Sequence, residues 1–317
     1  MATWRASDLT IGGVGAVILE ANGASAEGKA IWVVKGDRVV VEGITFRHAR
    51  VADLNGAGIR NEGGTLIVRD STFKDNEMGI LTRNGAPQVL IVEASRFINN
   101  GRAGAGGGRQ GHAIYAGIIS ELVVVGSSFE GIRIGHHVKS RAARTTVTCN
   151  RFVDGAHGTA SYAIDIANGG DVTIAGNVFH KGRYADNPHT IAFGAKGLRN
   201  EGRDLAIAFD TFVDAQQAAA FVRAADGARP RIVGNLFIGA APVLEGDPLP
   251  PGNVRGHARD LVAILDGDYR LAAGSAAIDA ASVGDAPPGC EFDAPAGTRS
   301  RISVGPPDLS AYEAPGP

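Results

Sequence analysis

The sequence predicts an all-β fold: a right-handed parallel β-helix (solenoid) of roughly eight coils with an irregular C-terminal cap. Three observations predict it. Phenylalanine recurs in one local setting, as in Gly43-Ile-Thr-Phe46, Asp70-Ser-Thr-Phe73, Gly126-Ser-Ser-Phe129, Cys149-Asn-Arg-Phe152 and Gly234-Asn-Leu-Phe237, with eight such residues spaced 23 to 33 apart. A variable period of that length marks a solenoid. Each of these phenylalanines ends a short β-branched, alternating run, for example Thr65-Leu-Ile-Val-Arg69 or Thr145-Thr-Val-Thr148. No stretch of helical length with a 3.6-residue period lies between the runs, which excludes leucine-rich and ankyrin-type repeats.

A second short strand precedes each phenylalanine. These strands are centred on Ile59, Ile80, Ile114, Val138, Ile164, Ile191 and Phe221, with the glycine and asparagine that sharp turns require between them. Stacking of successive coils puts the phenylalanines in one column. It also predicts a polar column of Ser71, Ser95, Ser127, Asn150, Asn177 and Asn235 at a corner, both columns being structural. Residues 1–239 form the β-helix in this reading. Residues 240–317 begin with the turn-rich Ala241–Gly252 and form a capping segment over the last open coil, not an independent domain, since an uncovered sheet edge aggregates. The chain enters a coil almost at once (Leu9-Thr-Ile-Gly), so an N-terminal cap is expected to be absent and the chain trimmed.

Composition removes several classes. The 317 residues include 45 glycines without a Gly-X-Y period, which excludes collagen. A hydrophobic content of 44% and a charged content of 20% exclude wholesale disorder. A net charge of -2 argues against a nucleic-acid partner held through phosphates. Two cysteines, Cys149 and Cys290, exclude a disulfide scaffold and a cysteine zinc cluster. No apolar run reaches the ~18 residues of a membrane span, and Met-Ala-Thr-Trp-Arg at the start is not a signal peptide.

Stacking also turns the sequence into a site map. Taking the central residue of each first strand as pointing inward, the following residue points outward. That column reads Arg60, Leu81, Tyr115, Lys139, Asp165, Ala192, Val222. Two residues before the centre, the column reads Ala57, Met78, His112, His136, Tyr162, His189, Ala219. Parity points this second column inward, but Gly111 and Gly135 can reorient the chain, and its direction is left open. His137 and Arg141 are expected on the side of Lys139. Such a group suits proton abstraction from carbon. A lysine among Arg133, Arg141 and protonated histidines is pushed toward the free base by like charges. Arginine and histidine neutralise a substrate carboxylate and stabilise an enolate-like intermediate, and Tyr115 or a histidine protonates the leaving oxygen. Lys139, Tyr115, His136 and Arg141 are thus the candidate catalytic residues. His112, His137, Asp165, Tyr162, Arg60 and Arg109 are candidate substrate contacts, and no metal ligands are assigned. Asp165 orients Lys139, binds sugar hydroxyls or contributes to a cation site. The glycine-rich 103–111 stretch lacks Gly-Lys-Ser/Thr and reads as a loop overhanging the column, with Arg102 and Arg109 on it. Against these readings stand a solvated lysine and corner histidines stacked on one another.

The run Gly135-His-His-Val-Lys-Ser-Arg141, followed by Cys149-Asn-Arg-Phe152 and Gly169-Gly-Asp-Val-Thr-Ile-Ala-Gly-Asn177-Val-Phe179, resembles the core of the pectate-lyase-like β-helix superfamily. The Lys139-Ser140 pair before an Asn-x-Phe coil end is similar to the chondroitinase B and alginate lyase family. That resemblance implies a base role for Lys139 and admits calcium as the one ion; otherwise no cofactor is expected. It breaks where that family shows Arg-His-Gly and this chain has Ala167-Asn168-Gly169, so Arg141, His136 or Tyr115 takes the assisting role. The wider motif set also resembles bacterial β-helix proteins of unassigned function. Asp186-Asn-Pro-His189 is similar to the Asp-Pro-His of mannuronan C5-epimerases, with an inserted residue. The expectation is a polysaccharide lyase acting on a uronic-acid-containing glycan, a monomer, secreted or periplasmic by family habit. The alternatives are a non-catalytic glycan-binding or adhesion solenoid, a glycoside hydrolase or a C5-epimerase. A hydrolase needs paired carboxylates on one groove, and Asp165 has no clear outward partner.

Overall fold

In the computed structural model the described residues are 1–85, 87–102, 111–215, 219–246, 249–282 and 284–314. They form a parallel β-solenoid of about eight turns, followed by short antiparallel strands. The first sheet stacks Ala2–Trp4, Ala30–Val34, Ala57–Asn61, Met78–Thr82, Ile114–Ala116, Val138–Ser140, Ile164–Ile166, Ile191–Phe193 and Val222–Ala224, each parallel to the next.

Each regular coil carries three strands where the sequence reading expected two. A corner splits the β-branched run from the phenylalanine, as between Arg144–Thr148 and Arg151–Val153. The corner residue is left-handed in every coil: Gly43, Asp70, Ala94, Gly126, Cys149, Gly176, Phe209 and Gly234 have φ between 44° and 79°. One residue suffices to turn the chain there, too small a signal to read as a break in the sequence.

The residue after that corner builds the polar column. Backbone N–H groups of Ile44, Ser71, Ser95, Ser127, Asn150, Asn177, Asp210 and Asn235 donate to side-chain oxygens of Ser71, Ser95, Ser127, Asn150, Asn177, Asp210, Asn235 and Asn253, at 2.6–3.3 Å. The ladder thus includes Asp210 and Asn253 beyond the residues expected. Just inside it, the phenylalanines from Phe46 to Phe237 stack with ring centroids 4.6–5.2 Å apart. Both columns satisfy or bury what each coil leaves open to the next.

The expected register holds except at the last coil. Ile191 pairs with Val222, not Phe221, so Arg223 rather than Val222 adjoins Ala192. Phe221 instead enters the core against Phe212, 5.7 Å between centroids.

Stacking continues past residue 239, since Val254–Gly256 pairs with Leu236–Ile238. Val243, fully buried in the main core, accepts the Val222 N–H and closes the last coil. The later hairpins, Leu261–Ala263 with Asp268–Leu271 and Cys290–Phe292 with Thr298–Ser300, lie along the flank instead. Leu261, Tyr269 and Phe292 of these hairpins, with Tyr312 beyond them, pack on Val153, Val178, Val213 and Ile238. The Gly297 N–H reaches the Gly126 carbonyl at 2.7 Å, several coils back. Cys149 and Cys290 form one disulfide that ties this segment to the middle of the solenoid.

Candidate active site on the first sheet

Parallel register places Tyr115, Lys139 and Asp165 side by side on the outer surface of the first sheet. Lys139 Nζ donates to Asp165 Oδ2 at 2.6 Å, with only 11% and 3% of the two side chains exposed. Nζ also lies 5.8 Å from the centre of the Tyr115 ring, and the Arg141 guanidinium lies at the same distance. Two cations therefore flank one phenol. Of the roles the sequence left to Asp165, the direct contact matches the one that orients Lys139.

The second column turns outward at its centre. His112 and His136 stack at 4.7 Å, and His136 and Tyr162 at 5.2 Å, while His189 is tilted at 6.5 Å from Tyr162. The backbone locks the rings in place. His112 Nδ1 accepts the His136 N–H at 3.0 Å, and His136 Nδ1 accepts the Tyr162 N–H at 3.1 Å. An accepting Nδ1 leaves the proton on Nε2 in a neutral ring. Burial, reinforced at His112 by the Lys139 charge and at His136 by His112, Lys139 and other cations, holds both histidines well below the usual imidazole range. His136 Nε2 then faces Asp165 Oδ2 at 3.4 Å. Asp165 Oδ2 lies between Lys139 and His136, while its buried Oδ1 has no hydrogen-bond partner among the described residues.

The turn before His136 is made at Gly135 in little space. This glycine has φ 128°, and a Cβ there would fall 1.8 Å from the Gly111 carbonyl oxygen. Only glycine can turn the chain in that space. Alternation fails at both following residues, His136 facing outward and His137 inward, and it fails likewise after Ser161, where Tyr162 stacks on His136 and Ala163 enters the main core.

His137 is therefore a correction to the expected substrate contacts. Its ring packs among Phe129 and Phe152, and Nε2 meets Asp154 Oδ1 at 2.8 Å. Asp154 Oδ2 accepts the Gly182 N–H at 2.8 Å, and the buried Lys181 donates to the Ser161 carbonyl. Burial brings the Lys181 ammonium down to about 8, against the opposing pull of Asp154. This interior cluster escaped the sequence reading, which assigned no partner to Asp154 and did not consider Lys181.

The remaining candidates are scattered. Arg60 is separated from Tyr115 by Leu81, and its Nε lies 3.5 Å from Glu62 Oε1. Arg102 turns to Glu77, 3.6 Å away. Arg109 and most of the glycine-rich stretch lie outside the described residues. Ser140, the partner in the Lys-Ser pair, is buried with its hydroxyl 2.7 Å from that of Thr145. Ala167, where an assisting arginine was sought, is buried and brings no cation. Among the described residues, no three His, Cys, Asp or Glu side chains gather to hold a metal ion.

No family model and no curated protein matches this chain. A solved structure shares the fold. It is described as the crystal structure of pectate lyase Pel9A, and it superposes with a TM-score of 0.53 at 13% identity over 98% of this chain and 82% of that one. At that identity the likeness establishes the solenoid scaffold, one used by a polysaccharide-acting enzyme, and the scaffold alone does not fix the chemistry.

Proposed function

We propose that the protein is a polysaccharide lyase that cleaves a uronic-acid-containing glycan by β-elimination, with Lys139 as the base. The observation that carries this reading is the register of Lys139 between Tyr115 and Asp165 on the outer face, with Arg141 beside the same phenol. Lys139 Nζ takes the C5 proton of the uronate, the electron pair forms the C4–C5 double bond, and the C4–O bond breaks. Tyr115 gives its phenolic proton to the departing oxygen, and Arg141 neutralises the uronate carboxylate as charge builds on it. Asp165, steadied by His136, holds Lys139 at rest.

The protein is read as secreted or periplasmic, acting as a monomer on an acidic polysaccharide. The Cys149–Cys290 disulfide supports an oxidising compartment. A hydrolase is disfavoured because the rungs on either side of Asp165 carry Lys139 and Ala192, not a second carboxylate. The test is incubation with uronate polymers. Unsaturated ends, seen as rising ultraviolet absorbance, support the lyase, and reducing ends without unsaturation refute it.

One observation favours a second reading, a glycan-binding solenoid. The Lys139 ammonium is already engaged by Asp165 and little exposed. Retained affinity with no product over long incubation selects that reading.

A further inference from the structure

The outward column does not end at Asp165. Its next two rungs are Ala192 and Arg223, both in register. Ala192 raises only a methyl group, and a depression of about 260 Å³ opens over it, bounded by Gly194, Arg223, Asp226 and Glu245. Arg223 stands three register steps from Lys139, roughly 14 Å at ~4.8 Å per step.

Charge changes sign along this line. At the upper end Lys139 and Arg141 flank Tyr115. At the lower end two carboxylates, Asp226 and Glu245, face one guanidinium, Arg223. Glu245 is fixed by His189 Nε2 at 2.8 Å from its Oε1, with 55% of its side chain exposed. Arg223 and Asp226 are exposed, and neither forms a salt bridge among the described residues. A uronate carboxylate brought into this depression meets net negative charge. Uncharged sugar hydroxyls fit it better, since each can accept from the guanidinium and donate to a carboxylate.

We propose that this depression is a subsite for an uncharged sugar residue, so that the glycan combines uronate with neutral sugar rather than being a homopolymer of uronate. The inference rests on the reading of the Lys139 end as the uronate site. The experiment measures Kd of the full chain for two polymers, one a homopolymeric uronate and one alternating uronate with an uncharged sugar. The mixed polymer is expected to bind about tenfold more tightly, a difference of about 1.4 kcal/mol. E245Q and D226N, each removing one exposed negative charge, are expected to tighten the homopolymer and weaken the mixed polymer, so the ratio narrows. R223Q is expected to weaken the mixed polymer.

A homopolymer bound as tightly as the mixed one, or a ratio unchanged in both carboxylate variants, overturns the subsite. Binding with the predicted ratio but without unsaturated product sustains the subsite and refutes the lyase. Unsaturated product with no preference between polymers does the reverse.

Discussion

Lys139 Nζ and Asp165 Oδ2 meet at 2.6 Å on neighbouring coils although 26 residues separate them in the chain. That ion pair sets the resting state of the proposed base. Replacing Asp165 by asparagine keeps the shape and removes the counter-charge. With Lys139 no longer held by the carboxylate, Asp165→Asn is expected to lower the kcat for unsaturated product while KM changes little. An unchanged kcat would separate Asp165 from the positioning of Lys139.

The histidine pair gives a second prediction. His112 and His136 are held neutral by burial, with the proton on Nε2. Nitrogen chemical shifts should report that tautomer for both rings at pH 6, where an ordinary imidazole is largely charged. Their folded-state values lie below the unfolded one, so the unfolded chain binds more protons below about pH 6.5, and stability falls as pH drops through that range. Doubly protonated rings at pH 6 would mean that neither Nδ1 accepts a backbone N–H, and would overturn the neutral pair.

Asp210 acts in the opposite direction. Its Oδ1 accepts both the N–H and the side-chain amide of Asn177, at 2.6 and 2.9 Å, while its Oδ2 has no hydrogen-bond partner among the described residues. In the same column the amide groups of Asn177 and Asn235 donate to carbonyls of the preceding coil. A carboxyl there matches its neighbours only when protonated, and burial raises it to about 8. A raised acid favours folding at low pH, and its contribution is lost as pH rises from about 4, the unfolded value, to about 8. Asp210→Asn should therefore raise Tm, by several degrees more at pH 9 than at pH 5. A Tm difference independent of pH would mean that Asp210 is not neutral in the ladder.

Gly135 and Gly155 form a matched pair for thermal unfolding. Both have positive φ, but an added Cβ meets nothing within 4 Å at Gly155 and the Gly111 oxygen at 1.8 Å at Gly135. Gly155→Ala should cost only the left-handed backbone penalty, about 1–2 kcal/mol. Gly135→Ala should cost clearly more and disturb His136 with it. Equal losses would contradict the turn assigned to Gly135.

The flank of the third strand column depends on one covalent tie. Cys149→Ser should leave the far-ultraviolet spectrum of the solenoid intact and expose the 258–314 segment to limited proteolysis. Protection equal to that of the parent protein would show that the Leu261, Tyr269 and Tyr312 packing suffices alone.

Much of this was legible in the sequence because stacking repeats. Phe46 through Phe237, the serine–asparagine column and the Tyr115–Lys139–Asp165 register all follow from one period and one alternation. The readings that failed did so where a single residue breaks the pattern. The left-handed corner hides the third strand, the turn into the first strand breaks alternation at His136 and His137, and a one-residue shift moves Val222 into the place given to Phe221. Asp210 lies two residues before Phe212, in the register of the serine–asparagine column, and escaped only because its residue type differs from its neighbours there. Contacts without periodicity left no trace at all: Lys181 with Ser161, or Cys149 with Cys290 across 141 residues.

The central claim is that the Lys139 amine removes a proton from a uronate carbon. The direct measurement is the rate of unsaturated-product formation by the parent protein and by Lys139→Ala on one uronate-containing polymer, with matched circular dichroism to establish equal folding. A loss of roughly 10²–10⁴-fold, the span of general-base catalysis, is predicted for the variant. Product formed by Lys139→Ala at the parental rate would contradict it.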